Sequence, residues 1–325
     1  NGSTMNGSKR VAGPTLSTLG GECPHGALNR RRFLAGTAGF GLATILSSGR
    51  RRTAHAQPLP TAPESGDLPR LDLHVHLDNS TIDEVLKLSV ERNVKFGIVE
   101  HAGTKENIYP VVLHNDETLL ARLAMLESKP VYRGVQTEWH DWYECFSVEA
   151  LSKLDYVLTD AMTFPGKDGR RVKLWEPNVT ERVDMADREA FMDRYVDWYV
   201  AIIEKQPIDI MANTSWLPAP LAPEYDKFWT TERIRRVADA AVKYRVALEI
   251  SSGFKLPTLR FLQVAKEAGV KFSFGTNGRY PRMGKLEFSF DMAYKLGLKP
   301  DDMFTLPPDG QKAVQRWAAG TRGKG

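Results

Sequence analysis

Cysteine is nearly missing from this 325-residue chain, which holds only Cys23 and Cys145. So sparse a supply excludes a disulfide-stapled scaffold and an all-cysteine zinc site, leaving a buried core as the source of stability. No apolar run reaches the roughly 20 residues needed to span a bilayer; residues 33–48 make a stretch of 16 that is rich in glycine. Phosphate-binding glycine loops, dinucleotide fingerprints, a serine nucleophile elbow and paired Cys-x-x-Cys motifs are missing too. Nucleotide-driven, redox and serine-hydrolase mechanisms thereby lose their support. The formal charge of +4 is unevenly spread, because residues 1–56 hold eight of the 44 Lys/Arg and one of the 40 Asp/Glu. The remainder is net −3, so no basic surface argues for nucleic acid as a partner.

What the first 56 residues do have is a pattern. Arg30-Arg31-Arg32-Phe33-Leu34 is followed by the Gly/Ala-rich apolar stretch, the basic triplet Arg50 to Arg52 and then Ala54-His55-Ala56. This resembles a twin-arginine export signal with small residues placed for cleavage before Gln57. The expectation is a cleaved leader (1–56), a Pro/Gly/Ser linker (57–69) and one folded domain (70–325). It implies the twin-arginine export machinery as a partner, no stable membrane anchor and a periplasmic or secreted mature protein. That pathway moves folded proteins, often with a cofactor already loaded.

In the mature chain, strand-like runs alternate with helix-like ones. The strands are predicted at Leu71 to Val75, Phe96 to Val99, Val131 to Gln136, Tyr156 to Leu158, Ile208 to Ala212, Ala247 to Ile250 and Lys271 to Phe274. Helical periodicity marks Ile82 to Arg92, Glu117 to Glu127, Arg188 to Lys205, Thr231 to Tyr244, Thr258 to Ala268 and Glu287 to Leu296. Strict alternation implies a parallel sheet covered by helices. Polar residues fall just past every strand: His74 and His76, Glu100 and His101, Glu138, Asp160, Asn213, Ser251, Asn277. In an open sheet the two edges could not converge, whereas in a barrel all C-terminal strand ends form one ring. The fold class predicted is therefore α/β, a seven-stranded TIM-like barrel.

Asp72-Leu73-His74-Val75-His76 carries the strongest chemical signal. With a side-chain period of two, His74 and His76 project to one side, and two imidazoles can reach one borderline cation such as zinc. His101 and Glu138, at the ends of the next two strands, are candidates to complete the set.

These stretches resemble the polymerase and histidinol phosphatase (PHP) family of metal-dependent phosphoesterases. The likeness rests on Asp72 to His76, Gly97 to His101, Gly134 to Glu138, Leu154 to Val157, Ile208 to Asn213 and Phe272 to Asn277, spanning about residues 70–305. It implies a distorted (β/α)7 barrel and up to three metal ions. Several family positions are replaced: no further His follows His76 closely, Asn213 stands where a His is usual, and Asn277-Gly278-Arg279 replaces Asp-x-His. Thr159-Asp160-Ala161-Met162 replaces a His-bearing turn, which makes Asp160 a substitute ligand. The metal set expected is His74, His76, His101, Glu138, Asp160 and Asn277, with His101, Asp160 and Arg279 in catalytic roles. Few carboxylates remain to neutralise cations, so one or two divalent ions (Zn, Mn or Fe) are expected rather than three. Arg279 has no lone pair to ligate with; it is expected to clamp an anionic substrate or to pair with Asp160 or Glu138.

The function so implied is an exported metal-dependent hydrolase, phosphoesterase-like, acting on a small anionic substrate. His74 to Asp78 also resembles the first-strand signature of adenosine deaminases, giving an amidohydrolase-type deaminase or amidase as an alternative. A third reading is a catalytically degenerate barrel binding a ligand such as a carbohydrate, with Trp139, Trp142 and Trp216 placed to stack on sugar rings.

Overall fold

A computed structural model describes residues 67–78, 80–104, 109–321 and 323; the proposed leader and the linker up to residue 66 lie outside the described residues. Seven parallel strands are hydrogen-bonded in sequence order: β1 (Leu71–Val75), β2 (Lys95–Ala102), β3 (Tyr132–Thr137), β4 (Tyr156–Thr159), β5 (Ile210–Met211), β6 (Ala247–Ser251) and β7 (Phe272–Gly275). A two-residue strand, Val112–Leu113, pairs with the end of β2. The ring closes where the chain leaving β7 bridges β1 at Val75 and Gly278. There the His76 amide donates to the Gly278 carbonyl and the Gly278 amide to the His74 carbonyl, both at 2.9 Å. The seven-stranded barrel expected from the alternation is the fold observed.

The principal helices are α1 (Ile82–Arg92), α2 (Asp116–Leu126), α3 (Arg188–Lys205), α4 (Thr231–Tyr244), α5 (Leu259–Glu267) and α6 (Glu287–Leu296). The first five start at Thr81, Asn115, Asp187, Thr230 and Thr258, whose side chains accept a first-turn amide. Such a cap satisfies a donor the helix itself leaves open, so the polar residue fixes where loop becomes helix. The alternating apolar residues of the strands divide into two cores. Phe96, Ile98 and Ala102 of β2 face the helices, whereas Val99 packs inside the barrel with Leu73, Tyr156, Leu158, Ile210, Ala212 and Ala247. Tyr156 fills much of this interior, its hydroxyl donating to the Leu73 carbonyl at 2.7 Å. A Cβ at Gly134 would lie 2.7 Å from that ring, and Gly97 faces the same ring. Side chains are excluded at both positions so that one aromatic can close the barrel floor.

Two features depart from simple alternation. Pairing of β1 with β2 slips between Asp72 and Val75, three residues of β1 lying against two of β2. This bulge lets Leu73 pack in the interior while His74, the very next residue, also bonds to interior partners. The second feature is an antiparallel hairpin, Thr163–Pro165 with Arg171–Lys173, inserted between β4 and α3. Its three-residue arms, with Pro165 and Gly166 at the turn, are too short to register as strands in a periodicity reading.

Candidate metal centre

All the predicted site residues gather at the C-terminal rim of the barrel, but they form three separate groups. In the first, His74 is buried with both nitrogens engaged: Nδ1 lies 2.7 Å from Glu249 Oε2 and Nε2 lies 2.9 Å from Gln136 Oε1. Gln136 Nε2 donates to Asp160 Oδ2 at 3.1 Å, which fixes the amide with its oxygen towards His74. Both imidazole nitrogens thus face acceptor oxygens, an arrangement that favours the protonated ring beside Glu249. Burial is the strongest influence on it and favours the neutral ring, yet the Glu249 charge and the two hydrogen bonds raise its pKa overall. A Cβ at Gly275 would come within 2.6 Å of the Glu249 carboxyl carbon and 2.8 Å of His74 Cβ, so the pair needs glycine there. Asp160 also accepts from Asn213 Nδ2 (2.9 Å) and from the Met162 amide (2.9 Å). Burial raises its pKa to about 6. Glu249, His74, Gln136, Asp160 and Asn213 thus form one chain of contacts across the rim.

The second group is centred on Glu138. His101 Nδ1 donates to Glu138 Oε1 at 2.9 Å, while Oε2 accepts from Thr163 Oγ1 at 3.2 Å and from Lys173 Nζ in a tight ion pair. Burial alone would raise the Glu138 pKa, but the His101 hydrogen bond and the Lys173 ammonium hold it at about 2. His101 is kept neutral chiefly by burial. With Nδ1–H committed to the carboxylate, its Nε2 is bare and has no partner.

The third group surrounds His76. This imidazole is buried, and neither ring nitrogen has a hydrogen-bond partner. Burial, followed by its electrostatic coupling to His101, Arg279 and His74, lowers its pKa well below the ordinary value, which favours the neutral ring with a free lone pair. One carboxylate oxygen of Asp78 and one of Glu100 are likewise buried and unpartnered, Oδ1 and Oε2. Ligand atoms of His76, Asp78 and Glu100 all lie within 4.8 Å of one another. Around an ion bonded at about 2.0–2.2 Å in tetrahedral geometry, ligand atoms sit roughly 3.3–3.6 Å apart, so the three side chains would draw together to hold one. Each carboxylate spends its other oxygen on an arginine: Asp78 Oδ2 accepts from Arg279 Nε at 2.7 Å, and Glu100 Oε1 lies 3.3 Å from Arg122 Nη2. Glu100 also accepts from the Leu77 amide (3.3 Å), yet burial pushes its pKa to about 7.

His76 stands in the cluster with Asp78 and Glu100, while both nitrogens of His74 and both carboxylate oxygens of Glu138 are taken by hydrogen bonds. Arg279 pairs with Asp78, not with Asp160 or Glu138, because Asn277, left-handed at φ 48°, turns the chain and takes Arg279 Nη1 on its own Oδ1 at 2.6 Å. Asn277 Oδ1 is thus occupied by a cation. His101 stacks on His76 at 4.7 Å with planes 14° apart, and on Tyr109 at 3.4 Å. Lone pairs lie in the ring plane, so two nearly parallel imidazoles do not aim at one ion. Of the tryptophans, Trp142 is wholly buried and cannot stack on a ligand, and Trp139 packs 5.5 Å from Trp198.

Asp78, Glu100, Gln136, Glu249 and Lys173 complete the arrangement without having been picked as site residues. Asp78 follows His76 by two residues, and Glu100 adjoins His101, so both were adjacent to the signal. Lys173 had none, being delivered by the hairpin.

No family model and no curated protein matches this sequence. Among solved structures, the fold is similar to that of histidinol phosphate phosphatase from Lactococcus lactis subsp. lactis Il1403, solved with zinc, L-histidinol and phosphate. The TM-score is 0.54 at 12% identity, over 71% of this chain and 95% of that one. A chain of an archaeal ribonuclease P with mature tRNA matches at a TM-score of 0.36 and 15% identity, over 70% and 89% respectively. That second value is too low to carry an argument. The first shows the fold alone, a parallel α/β barrel shared with that phosphatase.

Proposed function

We propose that this chain is a metal-dependent hydrolase of small anionic phosphoesters, with one divalent ion held by His76, Asp78 and Glu100. The observation that carries the reading is the set of bare buried atoms at the rim: both nitrogens of His76, Asp78 Oδ1, Glu100 Oε2 and His101 Nε2. Burying polar atoms without partners costs about 1–3 kcal/mol each, a cost that makes sense where a ligand completes them. A neutral imidazole with two carboxylates is a donor set suited to zinc, manganese or iron. Such an ion, when bound, supplies a water activated near neutral pH and polarisation of a phosphoryl oxygen.

The chain's own groups supply the rest. His101, oriented by Glu138, presents a bare Nε2 that can take up or deliver a proton beside the centre. Arg279 is held between Asp78 and Asn277 with its side chain 32% exposed, placing a fixed positive charge where an anionic substrate would approach. Asp160, shifted towards neutrality, is a second proton-handling group on the far side of Gln136. The phosphoester class is supported by the PHP-type fold and by the zinc and phosphate named with its structural neighbour. Export is supported by the Arg30-Arg31 leader and the small residues before Gln57. Among the described residues, no helix is long and apolar enough to cross a membrane.

The test is hydrolysis of a phosphomonoester panel by residues 57–325 loaded with zinc or manganese. Turnover that chelator abolishes, and that His101→Gln lowers by a factor of 10²–10⁴ expected of a proton-transfer group, supports the proposal. Tight ion binding with no turnover on any phosphoester would refute it and favour a ligand-binding barrel.

A further inference from the structure

The inserted hairpin is attached to the barrel as a rigid element. Phe164 packs on Phe191, Tyr195 and Trp198 of α3. Trp198 Nε1 donates to the Thr163 carbonyl at 2.9 Å, and the Leu174 amide donates to the Met162 carbonyl at 2.8 Å. Thr163 and Lys173 are directly opposed across the two arms, and opposed residues on one face are within side-chain reach. Lys173 Nζ accordingly donates to Thr163 Oγ1 at 3.0 Å, to Tyr109 Oη at 3.2 Å and to Glu138 Oε2. An ammonium has three donors, and all three are used. The residue is 7% exposed and 4.8 Å from the centre of the Tyr109 ring.

A buried lysine serves stability poorly, because desolvating two charges offsets most of what their attraction returns. Its placement has a geometric consequence instead. Lys173 and Thr163 together occupy Oε2 of Glu138, which leaves Oε1 as the sole acceptor facing His101. Tyr109, tied to the same ammonium, lies flat on the imidazole. We propose that Lys173 is a positioning residue for His101, acting through Glu138 and Tyr109 to hold the ring in one plane and in the Nδ1–H tautomer, with Nε2 bare towards the centre. This rests on the reading of His101 as the proton-handling group.

The experiment reads the tautomer in metal-free protein by long-range ¹H–¹⁵N spectroscopy of histidine-labelled residues 57–325, with His101 assigned by its loss in His101→Gln. The wild type should show one Nδ1–H form at neutral pH. Lys173→Met should lose that single form, with the Nε2–H or imidazolium signal appearing, and Lys173→Arg should restore it in part. Because Lys173→Met can fail to fold, Glu138→Gln provides the second variant, in which the ammonium remains but its anion is gone; the single form should be lost there also. An unchanged Nδ1–H signal in a folded Lys173→Met or Glu138→Gln protein would overturn the proposal. No metal and no turnover enter this measurement, so a wild type that binds no ion would overturn the hydrolase reading alone.

Discussion

His74 lies on β1 and His76 one residue past its end, yet they belong to opposite kinds of surroundings. On the His74 side, Glu249, Gln136, Asp160 and Asn213 link into one chain of hydrogen bonds, and only Glu249 Oε1 and Asn213 Oδ1 within it lack partners. On the His76 side, an imidazole and two carboxylates converge with an atom each left bare. A polar cluster with most of its atoms paired holds a barrel rim together; one with more atoms left bare stores the cost of burial until a ligand removes it. Most of the bare atoms, and with them the proposed ion, fall on the His76 side of the rim.

His74→Ala breaks the stabilising half most directly. It leaves the buried Glu249 carboxyl without its His74 partner, for which a loss of roughly 3–5 kcal/mol is expected, measured by denaturant unfolding. Ion uptake per folded molecule should survive. Gly275→Ala presses a methyl against the same pair, and the expected loss is about 1–3 kcal/mol with the ion again retained. A change on the other half should reverse the pattern: Arg279→Gln removes the cation competing for Asp78, so ion affinity should rise about tenfold, or about 1.4 kcal/mol, by competition titration.

The stability of the metal-free protein should also depend on pH. Burial holds Glu100 at about 7 and Asp72 at about 6, against ordinary values of 4.5 and 3.8. At these two groups the folded protein binds protons more tightly than the unfolded, so they favour folding as pH falls from about 7, while His76 and His101, lowered by burial, act the other way below the ordinary histidine range. Each group gives at most about 1.4 kcal/mol per pH unit. Glu138 acts oppositely: held at about 2, its contribution is complete above 4.5 and is lost as pH falls further. Added zinc should flatten the part of the melting-temperature profile due to Glu100, read by thermal unfolding from about pH 4.5 to 8 with and without the ion.

The strands and most helices were legible because each carries its own periodicity and caps. Ile82–Arg92, Arg188–Lys205, Thr231–Tyr244 and Glu287–Leu296 keep their predicted bounds. His76 was legible because a strand alternates. The division between His74 and His76 was not, since it depends on Glu249, 175 residues away in sequence, and on a bulge that alternation cannot foresee. Asp78 was hidden by its backbone: φ of 42° turns the carboxylate back towards the strand it has just left. Lys173 belongs to a hairpin whose arms are too short to carry a pattern, and its role exists only through contacts with Glu138 and Tyr109. Local rules reveal elements, whereas the chemistry at a barrel rim is assembled from strand ends distant in sequence.

The most direct test of the account is metal content by elemental analysis of residues 57–325, purified without chelator, for the wild type, His76→Ala and His74→Ala. One divalent ion per chain in the wild type and in folded His74→Ala, and none in His76→Ala, is the predicted result. An ion retained at full occupancy in His76→Ala, or none in folded wild type supplied with zinc, would contradict it.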